Sequence, residues 1–210
     1  MPLAATVRCH DPRSARAGGS VAARRALLFA LAATAGGAAR SQAPARVDGF
    51  LCCNMLSDGS WISDINYVDS SKKLIPAGTP VTVTGEGRWR LLAVIDGQNL
   101  ALGNDYSRTI SMEQFQKRYV VAQDPRPKLK AMSPRVREAI AARRVLKGMT
   151  REQVLMSLGY PVTSYTENLD APLWRYWYSR SEEFQVFWSA QHRVERMFGT
   201  PDVRAKVWME

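Results

Sequence analysis

From position 46 onward the apolar residues first recur with period two. In "GTPVTVTGEG" (78–87), Val81 and Val83 alternate with Thr82 and Thr84 between glycines, the pattern of a half-buried strand. In "RWRLLAVIDGQNLALG" (88–103), Asp96-Gly97 separates two apolar runs. A type I′ turn needs positive φ at both central residues, so this pair predicts a hairpin. Ser111 heads "MEQFQKRYV" as a helix N-cap. Short strands with tight turns predict a small antiparallel β-barrel-like domain over 46–124, SH3-like in shape.

The pattern then changes. "AQDPRPKLKAMSP" (122–134) holds three prolines and no apolar period, and 125–133 reads as a linker. Ser133-Pro134 starts a helix, with serine at the cap and proline where its missing N–H costs nothing. Val136, Ala139, Ile140 and Val145 share one face of it, and Gly148 stops it. In "GMTREQVLMSLGYP" (148–161), Thr150 and Gln153 have capping-box spacing, and Val154, Leu155 and Leu158 form a stripe. Gly159 suits a left-handed C-terminal position and Pro161 forbids continuation. "LWRYWY" (173–178), "EFQVFW" (183–188) and "HRVERMF" (192–198) are strand candidates whose short connections favour an antiparallel meander. Two helices followed by three strands make an α+β unit over 134–200, with 201–210 left as a tail.

Gly148-Met149-Thr150, Gln153-Val154, Leu158-Gly159-Tyr160-Pro161, Trp174-Arg175-Tyr176 and "FQVFW" together resemble the SmpA/OmlA family, the BamE-like domain, over about 140–199. The resemblance implies an αα-βββ fold that is not enzymatic. It also implies a small cell-envelope protein that binds protein partners in outer-membrane assembly or envelope maintenance. The same fold type serves secreted inhibitors of β-lactamase, so a soluble inhibitor or sensor module acting on a periplasmic enzyme is the alternative.

Charge changes the picture at the N-terminal end. The chain carries 29 Lys and Arg against 19 Asp and Glu. The first 45 residues hold six arginines and one aspartate, leaving 23 basic and 18 acidic residues, a balance of +5, from Arg46 onward. Scattered along the chain, that surplus does not argue for nucleic acid. Arg24-Arg25, the apolar run Ala26–Ala39 and the small residues after it read as an export signal cleaved between Ala39 and Ala45. The run is shorter than the ~20 residues a membrane span needs. The expectation is an exported chain in the periplasm, peripheral to the outer membrane at most, with no transmembrane helix once residues 1–45 are removed.

Candidate chemistry is sparse. With His10 and Cys9 in the leader, only Cys52, Cys53 and His192 remain as soft ligands, too few for zinc, and neither a metal nor a cofactor is expected. No catalytic residues stand out either: there is no serine elbow, phosphate loop or dinucleotide fingerprint. The aspartates of "DGSWISDINYVD" (58–69) miss the calcium-loop spacing and read as solvated. "GNDYSR" (103–108) is a polar, turn-forming cluster; it reads first as a turn closing the small barrel, with a binding edge as the alternative. Phe50-Leu51 before Cys52 does not fit a lipid-anchor site, so "FLCCNM" reads as a first strand with one cysteine buried.

The aromatic residues are the suggestive feature. Trp174, Tyr176 and Tyr178 share one strand face and Arg175 and Trp177 the other; Phe187 lies opposite Phe184, Val186 and Trp188. Helices cover one face of such a sheet, which leaves the other for a protein partner. Trp174, Arg175, Tyr176, Trp177 and Phe187 are the candidate partner-binding residues.

Overall fold

The structure is a computed structural model describing residues 46–68 and 72–210; the expected leader at 1–45 lies outside the described residues. The β-rich half holds β1 (Val47–Leu51), β2 (Met55–Ser57), β3 (Trp61–Ser63), β4 (Lys73–Ile75), β5 (Pro80–Gly87), β6 (Arg90–Ile95) and β7 (Gln98–Gly103); β5 is the period-two stretch and β6–β7 the expected hairpin, whereas β3 lies within the segment read as a loop. Helix α1 (Met112–Tyr119) and the short β8 (Val120–Val121) follow. These strands make one curled eight-stranded sheet in the order β4-β2-β3-β7-β6-β5-β1-β8. Asp96 and Gly97 take φ of 52° and 73°, as the β6–β7 turn requires. Val81, Val83, Leu91, Ala93, Ile95, Leu100 and Leu102 fill the inner face. Helix α1 carries a full capping box from Ser111 and Gln114 and adds Phe115 and Tyr119 to that core. One pair departs from the antiparallel expectation: β3 runs parallel to β7, because a long excursion through β4–β6 separates them rather than a hairpin.

The cysteine pair also departs from its expected strand. β1 ends at Leu51, and Cys52 donates its N–H to the Tyr119 carbonyl at 3.0 Å instead of continuing a ladder. Cys52 and Cys53 are joined by a disulfide, with Cys53 fully buried.

The expected linker carries a short helix, α2 (Arg126–Lys130). Its prolines sit at the start, where helical N–H groups have no partner in any case. α3 (Pro134–Ala141) is capped by Ser133 but ends earlier than expected. Arg143 takes a positive φ of 54°, and Val145 lies in a short strand, β9 (Val145–Leu146), rather than on the helix. α4 (Arg151–Leu158) starts as expected, with Thr150 and Gln153 completing the capping box; at its end Gly159 has the expected positive φ of 84°, but its ψ of −176° is extended rather than left-handed helical. The meander follows as β10 (Leu173–Trp177), β11 (Glu183–Trp188) and β12 (Val194–Phe198).

Residues 201–210 are not a tail. They form α5 (Pro201–Val207), capped by Thr200, and β13 (Trp208–Met209), which pairs parallel with β9. Val203 and Val207 are fully buried and Trp208 nearly so, in the cluster that holds Trp174, Tyr176, Phe184, Val186 and Trp188. Their apolar pattern was hidden by the brevity of the segment and by the distance to its partner strand.

Both halves fall in one compact unit. Asn54 donates its Nδ2 to the Ile140 carbonyl at 2.6 Å, and its backbone N–H to the Met156 carbonyl at 2.9 Å. Asn66 donates from Nδ2 to the carbonyls of Asn54 (3.0 Å) and Leu158 (2.8 Å), while its Oδ1 accepts from the Leu56 N–H at 2.9 Å. The buried Arg143 guanidinium donates to the Asn66 carbonyl at 2.9 Å and more weakly to Tyr67 and Val68. Each of these groups would otherwise lose hydration without replacement, which fixes how the halves meet.

Candidate functional site

The seam between the halves opens into a cleft of about 780 Å³. The β-rich half supplies Tyr67, Tyr106, Lys72 and Arg108; the C-terminal half supplies Tyr165, Trp177 and Arg180. Its wall is built from the "GNDYSR" loop, and one buried carboxylate holds that loop. Asp64 is fully buried, not solvated as its loop position suggested. Its Oδ1 accepts the N–H groups of Asp105 (3.0 Å) and Tyr106 (3.1 Å), and its Oδ2 accepts that of Ser107 (2.8 Å). Burial pushes the Asp64 carboxyl up to about 6, against the opposing pull of these donors. The Ser107 hydroxyl then accepts the Thr163 N–H at 3.2 Å, and Thr109 and Thr163 share a 2.5 Å hydroxyl contact. The loop is thereby pinned to both halves.

Asp105, the acid lining the cleft, is engaged. Its Oδ2 accepts from Trp61 Nε1 at 3.1 Å and Ser63 Oγ at 2.6 Å. The cations are less committed. Lys72, Arg108 and Arg180 form no ion pair among the described residues. Lys72 helps to hold the Asp58 carboxyl below the usual range, after the larger effect of the Ser60 N–H. Arg108 donates to the Asp105 carbonyl and lies 5.1 Å from the centre of the Trp89 ring. The Tyr67 hydroxyl is pushed up to about 12, first by burial and then by the neighbouring Tyr106 hydroxyl. It is a neutral hydrogen-bonding group at any physiological pH.

The five sequence-derived site residues divide. Trp174 is fully buried and Tyr176 nearly so; both point into the C-terminal core, where the Tyr176 hydroxyl donates to the Gly159 carbonyl at 3.1 Å. Burial removes these two from any docking surface. Their alternation with Arg175 and Trp177 left either set free to be the inner one, and the larger aromatic surface went inside. Arg175, Trp177 and Phe187 lie on the opposite face and are half-buried. Arg175 sits 3.5 Å from Glu183, Arg196 stacks 4.2 Å over the Phe187 ring, and Phe198 beside them is 69 % exposed. Of the five, Trp177 alone reaches the cleft, packed against Tyr165 at 5.3 Å between ring centres.

Sequence reasoning passed over Tyr67, Lys72, Tyr165 and Arg180, and met Tyr106 and Arg108 only within the 103–108 cluster, read first as a turn. Each is an ordinary loop residue locally, and only the closure of the two halves gathers them. Among the described residues there is no cluster of three or more His, Cys, Asp or Glu that could hold a metal, and no helix is long and apolar enough to cross a membrane.

Residues 135–197 match the family model described as "Outer membrane protein assembly factor BamE domain". No curated protein and no solved structure matches the chain. The matched segment runs from α3 to β12, and its boundaries coincide with the helix pair and meander described above. The C-terminal part of this chain is a BamE-like domain.

Proposed function

We propose that this chain is a non-catalytic protein of the bacterial cell envelope that binds protein partners in outer-membrane assembly or envelope maintenance. The observation that carries the reading is the match of 135–197 to an assembly-factor domain rather than to an enzyme family. Two further features support it. The outer face of the meander keeps Arg175, Trp177, Phe187 and Phe198 at least partly accessible, and aromatic and arginine side chains are the residue types that anchor protein interfaces. The leader expected over 1–45 would deliver the chain to the periplasm, with the β-rich half working beside the BamE-like domain.

Fractionation combined with in-cell crosslinking tests this. The expected result is recovery in the periplasmic or outer-membrane fraction, with capture of outer-membrane assembly proteins. Recovery in the cytoplasm would overturn it. Capture of a single soluble periplasmic enzyme would replace it with the inhibitor or sensor reading.

A further inference from the structure

We propose that the cleft between the β-rich half and the BamE-like sheet binds an acidic peptide segment of a protein partner. Lys72 of the β-rich half and Arg180 of the C-terminal half receive its carboxylates, and Tyr67, Tyr106 and Tyr165 pack along it. The proposal deepens the protein-binding reading above and rests on it.

Four observations converge. First, a volume of about 780 Å³ lies within the ~300–1,000 Å³ typical of binding pockets and suits a segment of a few residues rather than a flat domain surface. Second, Lys72, Arg108 and Arg180 come from three separate segments and form no ion pair among the described residues, and the lining acid Asp105 is engaged by Trp61 and Ser63. Cations spread over separate segments match several carboxylates spaced along a chain, whereas a phosphate site gathers its donors at one point. The +5 balance from Arg46 onward favours the approach of an acidic partner. Third, Tyr106 and Tyr165 are 40 % and 46 % exposed, and with Val47, Leu92 and Phe198 they are the large apolar residues most open to solvent among the described residues. A phenol ring offers a planar face and a polar tip, which suits a peptide backbone better than an acyl chain. Fourth, the wall made by the 103–108 loop is preformed. The buried Asp64 carboxylate fixes the 103–108 loop, and the Thr109–Thr163 and Ser107–Thr163 bonds tie it to the other half. A ligand entering such a site does not have to order it.

The purified full chain, immobilised at low salt, is panned with a random heptapeptide library. The expected result is enrichment of Asp- and Glu-containing peptides. A synthetic winner should bind at least about tenfold more tightly than its Asn/Gln counterpart, the loss expected when a charge-assisted contact goes. The Lys72→Gln/Arg180→Gln double variant should lose about tenfold in affinity with an unchanged melting temperature. Lys147→Gln/Lys206→Gln, which removes two exposed charges outside the cleft, should bind as the parent does. Enrichment without acidic residues, no enrichment, or undiminished binding by the double variant would overturn the proposal. So would binding to anionic phospholipid vesicles that the winning peptide does not displace. If the double variant still crosslinks to its partners in cells, the cleft assignment fails and the protein-binding reading stands. If the parent chain captures no partner, the broader reading fails.

Discussion

Asp64 accepts three backbone N–H groups, yet burial still raises its carboxyl to about 6 from an ordinary 3.8. The folded chain therefore holds a proton that the unfolded chain releases between those values. The stabilisation from this proton is complete below about pH 4 and is lost as pH rises through about 6, a change on the order of 3 kcal/mol. Urea unfolding at pH 4.5 and 7.5 should show this component of the pH dependence, and Asp64→Asn should abolish it. The same substitution should lower stability at pH 7.5 by about 1–3 kcal/mol, because an amide nitrogen would face a backbone N–H that the carboxylate now accepts. A second residue, Gly159, combines φ 84° with ψ −176°, a region essentially reserved for glycine. A Cβ there would lie 3.1 Å from Asn66 Nδ2, the group that joins the two halves. Gly159→Ala should cost about 1–3 kcal/mol by thermal denaturation. The sign of its φ was readable from its place after α4, because helix termination is local. Asn66 and Arg143 were not readable. Asn66 looks like any loop residue and Arg143 like any charged one, and each acquires its role from carbonyls far along the chain. Burial pushes the Arg143 guanidinium down to about 10, a measure of how completely it has left water.

At the scale of elements, what the sequence announced was what neighbouring residues decide. The Thr150–Gln153 box, the Ser133 cap and the Asp96-Gly97 turn all formed, since each involves contacts within a few residues. Thr150→Ala should destabilise the chain by about 1 kcal/mol, measurable by urea titration. Which side of the meander is covered was a different kind of question, because alternation specifies two faces and not which is inner. The structure assigns Trp174, Tyr176, Phe184, Val186 and Trp188 to the core and leaves Arg175, Trp177 and Phe187 outside. The substitutions should separate accordingly. Trp174→Ser should cost at least about 3–5 kcal/mol. Phe187→Ser should cost less than about 1 kcal/mol by the same denaturation, since its ring is only half-buried, on the outer face with Arg196 over it.

Across the whole molecule, the family match and the folded unit have different limits. The match stops at 197, while the core continues through α5 and β13. A fragment cut at 200 would uncover the contacts of Val203, Val207 and Trp208, each worth about 1.5–3 kcal/mol when buried. Deleting 201–210 from the chain should lower its melting temperature sharply or leave the C-terminal half unfolded by circular dichroism, whereas deleting Glu210 alone should change little. The β-rich half was legible as strands and turns. Its single parallel pairing and its seam with the BamE-like domain were not, because both are made by segments that are strangers in sequence.

The pairing of Trp208–Met209 with Val145–Leu146 also sets a schedule. A chain that emerges N-terminus first into the compartment where it folds presents Trp174, Phe184 and Trp188 before the last elements of their core have arrived. For that interval an emerging chain displays indole and phenyl surface with no native cover. The β-rich half, synthesised first, has its own buried cluster ready by Val120. A chaperone that meets this protein as it emerges should therefore engage it late, on the stretch between α4 and β12, and let go only once residue 209 is free to pair.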